Sequence, residues 1–528
     1  MGEFDVIVIG GGSAGSAVAG RLARAGRTVC LLEAGGRNDT LLVKTPGFMP
    51  FLRNSANYRY ETVPQKGLNG RVGYQPRGRG LGGSSAINAM VYVRGNRWDY
   101  DNWAALGCTG WAYDDVLPFF KRAEKNVRGE DEFHGAEGPL WVSDQRWPNK
   151  GSLAFVEAAT QLQLPRNRDF NGDKQEGFGL YQVTQRNGER WSAARAYVDP
   201  LRGNRSLDVR IGVTVQQIVV EDGRATGVVY SVGSKRRAVK ARGAVVLSAG
   251  AFNSPQVLML SGIGPGQHLA EHGIDVLRDC QAVGSDLQDH PDYVSSWETK
   301  SRDFLGDSLE GTIKMAKAII EHRRRRTGPM TTPYAETGGF WRVMPDAPAP
   351  DVQWHFVPGM LEDHGRTRVK GHGFSLHACV LRPESRGTVR LASARAEDAP
   401  RIDPNFLSDE RDMAVLRAGV RLSHRIVSAP AMAEYEPRDR YPIDIDDDAQ
   451  LDELIRNRAD TVYHPVGTCR MGGDAQSVVD PTLKARGIDR LWVADASVMP
   501  RIVSGNTNAP SIMIGERCAD FVETALKS

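Results

Sequence analysis

Cysteine is scarce in this chain and is not arranged for chemistry. The six cysteines among 528 residues lie far apart and form no Cys-x-x-Cys pair. That spacing disfavours a zinc site, a redox dithiol and a disulfide-stabilised scaffold, so buried, reduced thiols are expected. We therefore predict no metal centre.

An excess of charge of one sign is also missing. Lysine and arginine total 67 against 64 aspartate and glutamate residues, a net charge of +3 that gives no reason to expect a nucleic-acid partner. No apolar run approaches the ~20 residues of a membrane span, no internal repeat is visible, and no signal peptide precedes the first predicted strand. These absences predict a cytoplasmic enzyme.

One basic run complicates that picture. Residues 322–326 read His-Arg-Arg-Arg-Arg at the end of a predicted helix, 308–326. A solvated helix end explains such a run, but the pattern leaves open a peripheral attachment to the inner face of the membrane.

The length predicts more than one domain, since 528 residues exceed what a single core supports. Segments 207–241 alternate apolar and polar residues and predict antiparallel hairpins. The apolar run 244–250 then fits a buried parallel strand. Residues 292–450 predict strands followed by a helix, which is typical of an antiparallel sheet covered by helices.

The N-terminus carries the first functional motif. An apolar strand from Phe4 to Ile9 runs into Gly10, Gly12 and Gly15 in the G-x-G-x-x-G spacing, followed by a helix and a second strand that ends at Glu33. In such a unit the glycines make the turn, admit a pyrophosphate and let helix and strand pack, while the acidic residue accepts ribose hydroxyls. The motif predicts a dinucleotide site without choosing between FAD and NAD.

Two further segments stand out. Residues 75–90 contain Gly82-Gly83-Ser84-Ser85 and Asn88, a composition that suits a loop laid along a polar ligand, although a glycine-rich surface loop is the alternative. Near the C-terminus, His464 lies in a Pro–Gly loop. A strand at 491–495 and a closing helix, 511–526, follow it.

Together these stretches resemble the glucose–methanol–choline (GMC) oxidoreductases, and within them the bacterial choline-dehydrogenase-like and alcohol dehydrogenase group. The resemblance implies an α/β fold of the p-hydroxybenzoate-hydroxylase type, in which a Rossmann-like FAD domain is interleaved with an antiparallel-sheet (α+β) substrate domain. We predict residues 1–155, 205–291 and 456–528 for the FAD domain and 156–204 and 292–455 for the substrate domain.

The resemblance also assigns residues to the cofactor. Those implied to bind FAD are Gly10, Gly12, Gly15, Glu33, Gly82, Gly83, Asn88, Ala89, Val215, Asp495 and Ala496. Val215 corresponds to a position that touches adenine, with Val213 as a rival. Some relatives attach FAD through a histidine before the loop asparagine; this chain has Ile87 there, so the FAD is expected to be non-covalent.

For catalysis the resemblance implies His464 as the base, since histidine titrates near neutral pH. Asn508 is implied to orient the alcohol and its developing alkoxide, whereas Asn506 is predicted to be a turn or cap residue. Glu336 falls where choline-type relatives have an acidic residue near the substrate, or is an ordinary buried carboxylate. His355, His377 and Cys469 are predicted to be packing residues.

The activity this implies is the FAD-dependent oxidation of a primary alcohol to the aldehyde. The electron acceptor is predicted to be a quinone or another carrier, with oxygen, and hence peroxide release, as the alternative. A hydroxynitrile lyase on the same scaffold and a non-catalytic flavin-binding protein are the other hypotheses. The sequence does not select the alcohol or the oligomeric state.

Overall fold

A computed structural model describes residues 2–52 and 56–527. The helices are α1 Ser13–Arg24, α2 Leu41–Lys44, α3 Arg97–Ala105, α4 Tyr113–Ala123, α5 Lys150–Gln161, α6 Gly250–Leu260, α7 Gly266–Glu271, α8 Leu309–Arg325, α9 Glu410–Ser428, α10 Pro430–Ala433, α11 Asp448–Arg458 and α12 Asn508–Ala525. The strands are β1 Glu3–Ile9, β2 Val29–Glu33, β3 Tyr60–Glu61, β4 Tyr74–Gln75, β5 Glu124–Asn126, β6 Leu140–Val142, β7 Gly177–Leu180, β8 Gln185–Arg186, β9 Glu189–Arg190, β10 Leu207–Ile211, β11 Thr214–Glu221, β12 Arg224–Val232, β13 Lys235–Leu247, β14 Ile263–Gly264, β15 Arg278–Asp279, β16 Pro291–Thr299, β17 Gly306–Asp307, β18 Thr337–Trp341, β19 Val352–Val357, β20 Gly371–Val380, β21 Thr388–Arg390, β22 Arg401–Asp403, β23 Arg438–Asp439, β24 Asp460–Thr461 and β25 Leu491–Val493.

The first large sheet has seven strands in the order β10-β2-β1-β13-β12-β11, with β25 also paired to β13. The strands β10, β2, β1, β13 and β25 pair in parallel. The long strand β13 belongs to two arrangements, because its first half pairs antiparallel with β12 and its second half lies between β1 and β25. The predicted buried parallel strand at 244–250 is thus confirmed.

The strand β10 was predicted wrongly. Its alternating pattern suggested an antiparallel hairpin, but Leu207–Ile211 pairs in parallel with β2 at the edge of the sheet. Alternation reports one buried face and does not fix strand direction, which depends on the connection to the neighbouring strand.

The second large sheet has eight strands and is antiparallel, in the order β23-β16-β20-β19-β18-β7, with β17 and β24 attached. The helices α5, α9 and α10 pack against one another, and α5 and α9 also contact this sheet. Their aromatic core includes Phe155, Trp354 and Phe374, all fully buried. The fold is therefore the predicted combination of a Rossmann-like sheet and an antiparallel sheet covered by helices.

The domain limits stay a prediction, and three of the four boundaries cut an element, namely α5, β16 and α11. All strands of the first sheet lie in segments assigned to the FAD domain. The boundary between residues 155 and 156, however, falls within α5, whose Phe155 and Val156 both belong to the core of the second sheet. Among the described residues no helix combines the length and apolarity that a membrane crossing requires.

Candidate active site

The turn between β1 and α1 is built from glycines with different surroundings. A Cβ atom on Gly10 would lie 2.4 Å from the Ser248 carbonyl oxygen, and one on Gly15 would lie 1.9 Å from the Gly10 carbonyl oxygen. On Gly12 it would meet only the Ser248 carbonyl oxygen, at 4.0 Å, among the described residues. Gly10 and Gly15 are therefore glycines because the backbone packs closely, whereas Gly12 leaves open space beside α1.

The end of α1 at this turn is suited to an anion. No side chain in the described ranges caps its first turn, so its N–H groups remain available. Free N–H groups and the positive end of the helix dipole favour a phosphate at such a position.

Glu33 closes the same turn from the end of β2. Its carboxylate accepts hydrogen bonds from the backbone N–H groups of Gly11, Gly35 and Gly80, at 2.9, 2.8 and 2.9 Å. A carboxylate has about four acceptor positions, so these three bonds fix its orientation and leave capacity for a ligand hydroxyl.

The glycine-rich loop lies against this turn. The N–H of Gly82 donates to the Gly11 carbonyl oxygen at 2.7 Å, and a Cβ on Gly83 would lie 2.7 Å from the Gly12 Cα. Both residues have positive φ, +90° and +50°, which favours glycine. The Asn88 side chain accepts from the buried Arg190 guanidinium at 2.9 Å, which fixes the exit of the loop.

A single cavity of about 890 Å³ extends from this turn to the second sheet. Most of the predicted site residues line it, namely Gly10, Gly12, Glu33, Gly83, Asn88, Ala89, Val215, Asp495, Ala496, His464 and Asn508. Val213 lines it as well, so the structure does not separate it from Val215. Gly15 and Gly82 lie behind the lining and act through backbone packing.

Asp495 fixes the segment after β25. Its Oδ2 accepts from the backbone N–H of Gly250 at 2.8 Å and from the Ser254 hydroxyl at 2.6 Å. Its Oδ1 accepts from the N–H of Ser497 at 2.8 Å and caps a short 3₁₀ helix at 496–498. The carboxylate therefore joins the last strand of the sheet to α6.

His464 lies at the other end of the cavity and is held at both ring nitrogens. Its Nδ1 is 3.0 Å from Nδ1 of His290, and its Nε2 is 3.2 Å from Nδ2 of Asn506. Its backbone N–H donates to Asp289 at 2.8 Å. Sequence reasoning assigned no role to Asp289 or His290, and to Asn506 only that of a turn or cap residue.

The two asparagines have different hydrogen-bond partners. Asn506 contacts His464, whereas Asn508 is the first residue of α12 and accepts a hydrogen bond from the Ser13 hydroxyl at 2.7 Å. The prediction that Asn506 is a mere turn or cap residue is therefore wrong. Asn508 lines the cavity on the side of the glycine turn, which α1 and Ser13 form.

Two backbone carbonyls determine the protonation of this cluster. The Leu381 carbonyl oxygen can only accept, so Nε2 of His290, 3.1 Å away, carries a proton. Burial lowers the pKa of His290 to about 3, which leaves this ring neutral. The Nδ1 of His290 is then an acceptor, and Nδ1 of His464 must donate to it.

The hydrogen bonds at Nε2 of His464 require the same tautomer, with the proton on Nδ1. The Tyr181 hydroxyl donates to the Trp354 carbonyl at 2.6 Å, so its oxygen accepts from Nε2 of Gln353 at 3.2 Å. Gln353 Nε2 also donates to Oδ1 of Asn506 at 3.0 Å, which turns the Asn506 Nδ2 group toward His464. The Nε2 of His464 therefore carries a lone pair.

Electrostatics keep His464 neutral. Burial lowers its pKa well below the ordinary value, and the neighbouring His290, His355 and Arg77 lower the pKa further. Asp289 beneath it has a pKa raised by burial to about 6, despite hydrogen bonds from Thr461 and His464. A neutral imidazole with a lone pair on Nε2 is a proton acceptor, and that lone pair receives the Asn506 N–H here.

Glu336 is not placed to contact a substrate. It is fully buried and lies outside the described cavity lining. Its carboxylate accepts from the Asn149 N–H and from the Ser152 and Thr332 hydroxyls, each at 2.7 Å. Burial raises its pKa, against the effect of these hydrogen bonds. Glu336 therefore has the contacts of an ordinary buried carboxylate, which was the alternative in the sequence analysis.

Of the three residues predicted to serve in packing, the two histidines lie at the cavity and the cysteine lies in the core. His355 and His377 line the cavity, so they are more than packing residues. Nδ1 of His377 is 2.6 Å from Oδ2 of Asp292, and Nε2 of His355 is 3.5 Å from Nδ2 of Asn506. Cys469 is buried in the core of the first sheet. Within residues 2–52 and 56–527, no group of three or more potential ligands could hold a metal ion.

Comparison with known proteins matches the chain to two GMC oxidoreductase models, the N-terminal one over residues 4–292 and the C-terminal one over residues 383–515. The chain belongs to the GMC oxidoreductase family. It is 43% identical to an alcohol dehydrogenase [acceptor] of Pseudomonas putida, over 98% of this chain and 95% of that one. It is 40% identical, over the same shares, to an oxygen-dependent choline dehydrogenase of Brucella ovis.

The fold comparison agrees. A formate oxidase structure from Aspergillus oryzae, described in terms of its FAD modification, superposes with a TM-score of 0.91 at 27% identity, covering 99% of this chain and 98% of the other. This GMC oxidoreductase is an enzyme that acts on CH–OH donors and binds FAD.

The residues present fit that cofactor. The open space at Gly12, the uncapped α1 and the spare acceptor capacity of Glu33 suit a pyrophosphate and a ribose. Ser248 lines the same end of the cavity.

Proposed function

We propose that this enzyme oxidises a primary alcohol to the aldehyde, with His464 as the proton acceptor. The observation that carries the proposal is the lone pair on Nε2 of His464, fixed by hydrogen bonds that begin at two backbone carbonyls. When bound, FAD supplies the acceptor for the hydride that leaves the alcohol carbon.

The residues of the chain handle the proton. The alcohol hydroxyl gives its proton to Nε2 of His464, while Nδ1–H of the same ring stays bonded to His290, so the imidazolium that forms keeps that hydrogen bond. The Asn506 amide N–H donates to the same nitrogen; when the alcohol hydroxyl takes its place there, this N–H is free to donate to the alkoxide oxygen as its charge develops. Burial of His464 excludes water from the transfer.

We propose a division of the cofactor contacts among the cavity-lining residues of the predicted set. Gly12, Gly83 and the start of α1 hold the pyrophosphate, Glu33 the ribose, Val213 or Val215 the adenine, and Asn88, Ala89, Asp495 and Ala496 the remainder. Ile87 lines the cavity and has no nucleophile, so the FAD is held without a covalent bond. Acid precipitation should release all flavin into the supernatant; flavin retained in the pellet would contradict this.

The position of Glu336 bears on the choice of substrate, and the relatives bear on the choice of electron acceptor. Because Glu336 lies outside the described lining, it gives no basis for selecting a cationic alcohol such as choline. The names of the two relatives differ in the electron acceptor, which is unspecified for the alcohol dehydrogenase and oxygen for the choline dehydrogenase. We favour a quinone-type acceptor; oxygen is the second candidate, since the choline dehydrogenase relative is called oxygen-dependent.

The experiment is an anaerobic panel of aliphatic, aryl, polyol and choline alcohols, scored by loss of flavin absorbance. Bleaching by a primary alcohol, lost in His464→Ala, is the expected result. A flavin that no alcohol bleaches, in a protein that cleaves a hydroxynitrile, would instead indicate a lyase. Repeating turnover with a quinone and with oxygen, with peroxide measured, separates a dehydrogenase from an oxidase.

A further inference from the structure

The outward face of α8 is apolar where a water-exposed helix is normally polar. Leu309 is 81% exposed, Ile313 50% and Ile320 53%. With the exposed Ala316, these residues recur at helical spacing and form one stripe. The opposite side anchors the helix, because Ala318 and His322 are buried and Nε2 of His322 lies 2.9 Å from the Gly188 carbonyl oxygen.

Cations border this stripe. Lys317 and Arg324 follow Ile313 and Ile320 by four residues, and Arg323 lies on the other flank; all three are exposed. We call the apolar stripe with these three cations the α8 face. An apolar stripe flanked by lysine and arginine is the pattern of helices that lie in the headgroup region of a membrane.

A second exposed apolar group lies on neighbouring segments. Leu41 and Leu42 are exposed in α2, and Phe51 is 64% exposed at the end of the 3₁₀ helix 46–51. That 3₁₀ helix packs against residues 329–331, which in turn pack against α8. Met49, in the same 3₁₀ helix, lines the active-site cavity. The 3₁₀ helix that carries Phe51 therefore forms part of one wall of the cavity and is linked to α8 through residues 329–331.

We infer that the α8 face docks this enzyme on an anionic lipid surface, with the apolar stripe inserted among the headgroups and the cations paired with lipid phosphates. The positive charge of the α8 face distinguishes an anionic lipid surface from a second copy of the chain. A second copy would bring three cations against three, whereas an anionic bilayer matches both the charge and the apolar stripe. The inference goes beyond alcohol oxidation and does not depend on it.

The test is co-sedimentation of the FAD-loaded enzyme with vesicles of phosphatidylcholine alone or mixed with phosphatidylglycerol. We expect binding to the mixed vesicles, at least tenfold stronger than to phosphatidylcholine alone and weakened by salt. The double variant Ile313→Ser/Ile320→Ser should reduce this binding at least tenfold. Lys317→Gln/Arg324→Gln should reduce it and also flatten the salt dependence.

The matched control is Leu153→Ser, which removes a leucine of similar exposure from α5 and should bind vesicles as the unmodified enzyme does. Equal binding to both vesicle types, or full binding by the isoleucine double variant, would overturn the inference. So would concentration-dependent dimers that the double variant abolishes. Turnover with a water-soluble dye, without vesicles, should be unchanged in all these variants; its absence in the unmodified enzyme would count against the proposed function and not against the α8 face.

Discussion

The two asparagines near the C-terminus offer a sharp test of the site. The structure places Nδ2 of Asn506 3.2 Å from Nε2 of His464 and gives Asn508 a hydrogen bond from Ser13 instead. Replacing each by alanine removes one amide from the same cavity, so the pair is its own control. We expect Asn506→Ala to slow the chemical step and Asn508→Ala to affect mainly the cofactor.

The expected loss of rate in each variant follows from the hydrogen-bond partner that the amide loses. Asn506 is placed to donate to the oxygen on which charge develops, and removing one such donor costs a factor of about 10²–10³ in rate. Asn508 loses a hydrogen bond with a neutral hydroxyl, worth about 1 kcal/mol, so its rate should stay within roughly tenfold. Asn506→Asp should be no better than alanine, since a carboxylate donates no hydrogen bond and repels the alkoxide.

The assay is anaerobic stopped-flow reduction of the flavin by the alcohol, because it reports the chemical step whatever the acceptor. Flavin content and the Kd for the alcohol are measured for each variant. If Asn508→Ala lost a hundredfold or more in reduction rate while Asn506→Ala kept most of it, the account of the site would be refuted.

Three further outcomes are expected. His290→Phe leaves Nδ1–H of His464 without its buried acceptor, at about 1–3 kcal/mol, so kcat/KM should fall about tenfold or more, and His290→Asn should restore part of it. Gly12→Ala should fold normally, because its Cβ meets open space, but it should bind FAD weakly, because we propose that space for the pyrophosphate. Gly15→Ala should instead lower the melting temperature, because its Cβ would lie 1.9 Å from the Gly10 carbonyl oxygen. The acid limb of kcat/KM should lie near pH 6, where Asp289 takes up a proton as pH falls and weakens its hold on the His464 N–H, and should vanish in Asp289→Asn; a limb that persists in this variant would assign it to another group.

Much of the fold could be predicted because local patterns determined it. The glycine turn, the strand ending at Glu33 and the helix α9 carry their own periodicity and end signals. The parallel pairing of β10 could not be predicted, since its direction depends on a connection that runs through a long excursion of the chain.

The site was predictable only in part, and the errors have physical causes. Asn506 and Asn508 are two residues apart at the entry to a helix, and their side chains point to different partners because α12 begins at Asn508. No local pattern reports that difference. Glu336 is satisfied by donors from α5 and its N-cap residue, Asn149, far away in sequence, so its burial could not be read from its neighbours.

The protonation state of His464 shows why the motif alone is insufficient. Its lone pair depends on hydrogen bonds that start at the carbonyls of Leu381 and Trp354, on or beside strands of the second sheet. A substitution at Gln353 therefore acts on the base without touching the substrate. Gln353→Glu, with a carboxylate that only accepts, would face Oδ1 of Asn506 with a second acceptor and turn that amide over. The Asn506 oxygen would then meet the lone pair of Nε2, and the reduction rate should fall toward that of Asn506→Ala, which ties the chemistry of the C-terminal histidine to the packing of the antiparallel sheet.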